Sequence, residues 1–131
     1  MFEKLGIFSM AQAMAQHAAA RQSVIAENVA NADTPGYKAR DLASFGETFR
    51  AGRGSGLRAT RAGHVPGREG LQTPPIPSTA HRPGAAAPNG NTVSLEQEIF
   101  ASAEAQSQHE TAMAIYKSAL SILRTSASAR S

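Results

Sequence analysis

Apolar residues recur at steps of three and four along the first thirty residues. Ile7, Ala11, Met14, Ala18, Ile25, Val29 and Ala32 fall on one narrow stripe at about 100° per residue. The stripe skips a position near Arg21 and Gln22, and Met10, His17 and Val24 form a second stripe beside it. This spacing predicts a long amphipathic helix. Ser9 followed by Gln12 fits a capping box, although the periodic pattern allows a start near Leu5.

The period stops at "NVANADTPGYKARDL", residues 28–42. Asn31 and Asp33 offer their side chains to the backbone in competition with the helix. Thr34 is driven toward an extended conformation by the proline that follows it. Pro35-Gly36 suits the central positions of a type II turn, where the second residue needs a positive φ. Tyr37 then projects wherever that turn aims it. Asn28 and Asn31 stand one turn apart, and two readings of them remain open: the polarity of a fraying helix end, or hydrogen bonds that fix the turn.

Helical periodicity resumes at "TVSLEQEIF". Ser94 reads as an N-cap with Gln97 three residues on, and Glu96 and Glu98 complement the helix dipole in the first turn. Leu95 and Ile99 open the apolar pattern. Further on, Met113, Tyr116, Leu120 and Leu123 form one stripe, and Ile115, Ala119 and Ile122 a second about 100° around. A helix over residues 95–126 would run about 48 Å at 1.5 Å per residue, too long for a compact globule of this size.

Between the two helices, residues 38–92 hold nine of the eleven glycines and six of the seven prolines. Leu42, Phe45 and Phe49 offer local packing, and "TPPIPSTAHRPGAAAPNGN" (73–91) reads as extended or polyproline-like. The expected class is therefore all-α. Two long terminal helices pair as a coiled-coil-like inner domain around a Gly/Pro/Arg-rich middle with room for one short β-hairpin. The chain divides into 1–37, 38–92 and 93–131, the first and last forming one domain and the middle a mobile or partner-ordered arm.

Charge and composition sharpen this picture. The net charge of +3 is the difference between a middle carrying about +5 and ends carrying about −2. With no Cys, disulfides and thiolate metal sites are excluded. No apolar run approaches a membrane span, so direct membrane insertion is not expected. The N-terminus, with Glu3 and Gln12 and no long apolar core, does not read as a cleaved signal.

Candidate chemistry is sparse. His17, His64 and His81 lack ligand spacing, and His109-Glu110, adjacent on a helix and pointing about 100° apart, read as a solvated polar face. There is no P-loop, nucleophile elbow or dinucleotide fingerprint. Catalytic residues, cofactors and metals are not expected. The stretch "RAGRGSGLRATRAGHVPGR" lacks interleaved aromatics to stack bases, so nucleic acid is not the expected partner. A small basic nucleic-acid-binding module stays as the alternative from another class; steep weakening by salt would reveal it. Both helices carry apolar residues beyond the single stripe that a helix pair buries, which points to packing against further chains.

The "NVANADTPGYKARDL" stretch resembles the signature of the flagellar rod, hook and axial proteins. The "ADTPGYKARD" form, the short chain and the "NGNTVSLEQE" lead-in to the last helix are similar to the family's short proximal-rod members. The resemblance covers roughly residues 1–45 and 88–126. It implies a structural subunit of the proximal rod of the bacterial flagellar basal body, or another rod subunit of the family. Such subunits assemble helically into a drive shaft across the periplasmic space and are exported without a cleaved signal peptide. Implied partners are other rod subunits, the MS-ring protein and the adaptor protein at the rod base. Asn28, Asn31, Thr34, Pro35, Gly36 and Tyr37 would set the angle at which the chain leaves the inner helix. Ile7, Met14, Ile25, Val29, Leu95, Ile99, Met113, Tyr116, Leu120 and Leu123 would form the assembly faces.

Overall fold

A computed structural model describes residues 2–54 and 79–129. Their elements are α1 (Phe2–Ala30), β1 (Arg40–Leu42), α2 (Phe45–Gly54), β2 (Thr79–His81) and α3 (Leu95–Ser128). The fold is mostly helical, and α1 and α3 pack along each other. They run antiparallel: Phe8 near the start of α1 meets Tyr116 late in α3, with ring centroids 5.1 Å apart, while Asn28 near the end of α1 meets Glu98 at the start of α3.

The seam between them is built from small residues at heptad spacing. Ala11, Ala18 and Ile25 are buried on α1, and Glu98, Ala105 and Ala112 on α3, with Ala101 beside them. Seven-residue spacing keeps one face turned toward the partner helix, as in coiled coils. Alanines let the backbones approach, but they leave no room for large side chains between them. The large apolar residues are therefore displaced to the flanks. Of the expected α1 face, Ile25 is buried and Met14 half-buried, whereas Ile7 and Val29 are exposed.

The start of α1 at Phe2 lies before both Ser9 and Leu5. The edge-to-face contact of Phe8 with Tyr116 holds this part of the chain against α3, so the Ser9–Gln12 pair lies inside the helix rather than capping it. Ser94 does cap α3, its side chain accepting from the Gln97 N–H, but the hydroxyl also donates to Glu96 Oε2 at 2.8 Å.

Residues 38–54 are more regular than their composition suggests. α2 is the element missing from the sequence reading. Its N-terminus is a capping box: Glu47 N–H donates to Ser44 Oγ at 3.3 Å, and Ser44 N–H donates to Glu47 Oε2 at 3.1 Å. Phe45 meets His17 edge to face and Phe49 at a tilt, and His17 Nε2 lies 2.7 Å from the Ala43 carbonyl, which docks α2 on α1. A two-stranded antiparallel sheet pairs Arg40 with His81, Asp41 with Ala80 and Leu42 with Thr79. Most of the Arg/Gly stretch, including Arg61 and His64, and residues 73–78 of the proline-rich tract lie outside the described residues.

Candidate assembly site: a polar lock at the helix exit

The turn that ends α1 is assembled from two segments more than fifty residues apart. Tyr37 N–H donates to the Thr34 carbonyl at 3.2 Å, and Gly36 has φ +73°, the left-handed conformation that the third position of a type II turn requires. Thr34 Oγ1 donates to Asn31 Oδ1 at 3.2 Å, and the Asn31 amide turns back to the Glu27 carbonyl at 2.8 Å. These bonds are local. The rest of the turn is held by "NGNT", residues 89–92.

Asn91, 3% exposed, points its amide nitrogen at the carbonyls of Asn31, Ala32 and Thr34 at 2.8–2.9 Å. Two of these are carbonyls just beyond the end of α1, so a side chain some sixty residues along the chain closes that helix where solvent or a local cap would otherwise serve. The Asn91 oxygen accepts from Val93 N–H at 2.8 Å. Gly36 N–H donates to the Asn89 carbonyl, Thr92 N–H to the Tyr37 carbonyl, and Ala39 N–H to Thr92 Oγ1. Gly90 has φ +82°, and a Cβ there would stand 3.4 Å from Gly36 Cα. The two glycines thus meet backbone to backbone.

Beneath the turn lies Asn28, which is fully buried. Its amide donates to the Arg40 carbonyl at 2.7 Å and to Glu98 Oε1 at 3.2 Å; its oxygen accepts from Arg40 N–H at 3.0 Å and from the Tyr37 hydroxyl at 3.3 Å. Asn28 therefore ties α1, β1, the turn tyrosine and α3 together. Of the two readings of Asn28 and Asn31, hydrogen bonding that fixes the turn describes both residues.

A charge network continues from Glu98, the other large side chain that is fully buried. Arg82 donates to Glu98 Oε1 at 2.6 Å and to Asp41 Oδ2 at 3.1 Å. Arg21 donates to both Asp41 oxygens and to Glu104 Oε2 at 2.9 Å. Burial raises the Asp41 carboxyl, but the hydrogen bonds from Arg21, Leu42 N–H and Arg82 outweigh it and hold the group below the ordinary aspartate value. Next to this network Gln22 and Ser102 bond reciprocally across the helix pair. The gap in the α1 stripe at Arg21 and Gln22 is thus a polar register mark between the helices.

Five residues of the lock, Arg21, Asp41, Arg82, Asn91 and Glu98, do not stand out in the sequence. Glu98 looks like one more first-turn carboxylate, and Arg82 like one of many arginines in the middle. The interrupted stripe at Arg21 was the available signal. Among the described residues no group of three His, Cys, Asp or Glu could hold a metal ion, and no helix is long and apolar enough to cross a membrane.

No side chain of the sequence-predicted assembly faces takes part in the hydrogen bonds of this lock, and Ile25 is buried within the helix pair. Leu95, Ile99, Met113 and Tyr116 are exposed, Ile99 at 69%, while Leu120 and Leu123 are half-buried. At the far end of the helix pair, Ile7, Ile115, Ala119 and Ile122 line an open apolar groove of about 390 Å³ together with Ala114 and Ser118.

Residues 11–38 match the sequence model of a family described as "Flagella basal body rod protein". The chain is similar to the protein named "Flagellar basal body rod protein FlgB" in several bacteria. It is 31% identical to the Yersinia enterocolitica protein over 123 residues, covering 88% of this chain and 89% of the relative. It is 34% identical to that of Escherichia coli over 103 residues, covering 72% and 73%. With a Cereibacter sphaeroides protein the identity is 31% over 130 residues, covering 94% and 92%.

Proposed function

The chain belongs to the FlgB-type flagellar basal body rod proteins, and from this premise we propose that it occupies the proximal end of the rod as a structural rather than catalytic subunit. The observation that carries the reading is an inversion of ordinary burial. The inner seam of the helix pair is mostly alanine with Ile25 among it, and the largest fully buried side chains are the polar Asn28 and Glu98, whereas Ile99, Phe100 and Ile122 are more than half exposed. Apolar surface left outside in this way marks contact with other chains.

In this reading residues 1–37 and 93–131 form the inner-tube domain and 38–92 the segment carried on it. The lock fixes how the chain leaves the tube. Exposed apolar flanks pack against neighbouring rod subunits in a helical assembly. The MS-ring protein and the adaptor at the rod base are the partners at its proximal end, and the subunit reaches the periplasmic space by export without a cleaved signal peptide.

Ile99→Asp tests this in motile cells. The side chain is 69% exposed, so the change should leave the helical circular dichroism of the purified chain intact. It places a carboxylate in the intersubunit contact, where an unpaired charge is costly. Cells should export the variant yet yield no rod in purified basal bodies. Normal rods containing the variant, or basal bodies from wild-type cells lacking this chain, would overturn the reading.

A further inference from the structure

The lock is built around a chemically labile dipeptide. Of the asparagines at 28, 31, 89 and 91, Asn89 alone is followed by glycine. Asparagine before glycine is where a chain loses amide nitrogen most readily, because no Cβ on the second residue obstructs its backbone nitrogen. The lock itself calls for this pair. Gly90 is held at φ +82°, a backbone that favours glycine, with Gly36 Cα 3.4 Å from where a Cβ would stand. Asn89 Oδ1 accepts from Asn91 N–H at 3.1 Å, an Asx-type turn that sets up Asn91 for the carbonyls at the end of α1.

The reaction open to this pair is a ring closure followed by hydrolysis. Gly90 N–H gives its proton to hydroxide, and the nitrogen bonds to Asn89 Cγ. The Cγ–Nδ2 bond breaks, and the amide leaves as ammonia with a proton taken from water, which regenerates the hydroxide. Water then opens the succinimide. Opening at Cγ gives aspartate in an unchanged main chain. Opening at the main-chain carbonyl gives isoaspartate, in which the chain runs through Cγ. In sum a water is consumed and an ammonia released, with nothing oxidised or reduced.

In the folded chain the peptide between Asn89 and Gly90 is pinned on both sides. Its carbonyl accepts from Gly36 N–H at 2.9 Å, and its N–H donates to the Ala87 carbonyl at 2.8 Å. An N–H committed to a carbonyl is a poor nucleophile, and the peptide plane must turn before the nitrogen reaches Cγ. The Asn91 N–H on Asn89 Oδ1 polarises the Cγ carbonyl and so favours attack. That polarisation is idle while the nitrogen is held. Asn89 is exposed, so access of water and hydroxide does not limit the reaction; opening of the lock does.

We propose that Asn89–Gly90 is a spontaneous modification site whose reaction runs in the unfolded chain, stops when the lock closes, and bars the lock once isoaspartate has formed. The aspartate product keeps the main chain and an oxygen for Asn91 N–H. Isoaspartate adds a carbon to the main chain between Asn89 Cα and Gly90 N. That displaces Gly90 from its approach to Gly36, and Asn91 from three carbonyls held at 2.8–2.9 Å. Chains that age before folding are thereby unable to complete the exit from α1. The inference does not depend on the rod-subunit reading.

The test incubates the full-length chain at mildly alkaline pH in buffer and in urea. Peptide mass spectrometry locates deamidation, and methylation by an L-isoaspartyl methyltransferase counts isoaspartate. In urea residue 89 should react first, and Gly90→Ala should slow it at least tenfold. In buffer the wild-type reaction should be at least about tenfold slower than in urea, the effect of holding two hydrogen bonds. Asn91→Ala, verified as helical by circular dichroism, should recover most of the urea rate. Urea-aged chains are then returned to buffer and separated. The isoaspartate form should exchange Gly36 and Thr92 N–H at least tenfold faster than the unmodified chain. Asn89→Asp carries the same added charge on an unaltered main chain and should exchange them at the unmodified rate. Equal reaction in buffer and urea, or an Asn91→Ala rate that stays at the wild-type value, would overturn protection by the lock. Unmodified exchange in the isoaspartate chain would overturn the bar on its closing.

Discussion

The ion pair between Arg82 and Glu98 gives the most discriminating test of the lock. Arg82 sits just after β2 and Glu98 in the first turns of α3, and their contact at 2.6 Å fastens the returning segment to the helix pair. The two partners are unequal. The Glu98 side chain is 0% exposed, whereas that of Arg82 is 17% exposed and keeps Asp41 at 3.1 Å. Arg82→Met removes the cation that, among the described residues, pairs with a buried carboxylate, and leaves it the Asn28 amide at 3.2 Å. Breaking a buried pair in this way costs about 3–5 kcal/mol. Glu98→Met leaves an arginine that retains a partner and some water, and takes one acceptor from Asn28; the cost should be about 1–3 kcal/mol, that of lost hydrogen bonds. Replacing both by Met exchanges the pair for packed thioethers, a change that is often neutral in comparable buried pairs. The double variant should therefore be more stable than Arg82→Met alone. Urea unfolding followed by circular dichroism at neutral pH measures all four corners. A loss below about 1 kcal/mol for Arg82→Met, or strict additivity in the double variant, would refute the assignment of Glu98 as a buried, paired charge.

Other consequences can be read from the same geometry. Gly36→Ala adds a Cβ that meets nothing within 4 Å, so its cost is the left-handed backbone alone, about 1–2 kcal/mol; Gly90→Ala adds contact with Gly36 Cα at 3.4 Å and should lower the unfolding midpoint further. Asn91→Ala strips the donors from three carbonyls, two at half-buried residues, and should cost about 2–4 kcal/mol, with faster hydrogen exchange at Gly36 and Thr92 N–H; unchanged exchange there would remove Asn91 from the lock. Asp41 titrates below its ordinary value of 3.8 in the folded chain, so its stabilisation is complete above that value and is lost as pH falls through the depressed folded value. Unfolding midpoints should accordingly fall below about pH 4, and Asp41→Asn should flatten that acid slope.

The sequence by itself determined the elements whose causes are local. Period and length specified α1 and α3, the Ser94 hydroxyl specified where α3 begins, and Pro35-Gly36 specified a turn with positive φ, because each depends on residues within one or two turns of the chain. The family was legible for the same reason, since its signature is that same contiguous exit from α1. The Ser44–Glu47 capping box was equally local, and α2 escaped because the surrounding glycines and arginine content mask a helix of ten residues. Only the tertiary structure decided which polar residues are interior. Asn28, Asn91 and Glu98 have the composition of a surface, and although the turn beside Asn28 hinted at hydrogen bonding, nothing in sequence marks the three as interior; they are buried because alanines at heptad positions let α1 and α3 approach closely, bringing residues 27–41 against 82–98. The same close approach expels the large apolar side chains to the flanks. Periodicity identifies an apolar stripe, but whether a partner helix or a neighbouring chain covers it depends on the sizes of the side chains in the seam between them.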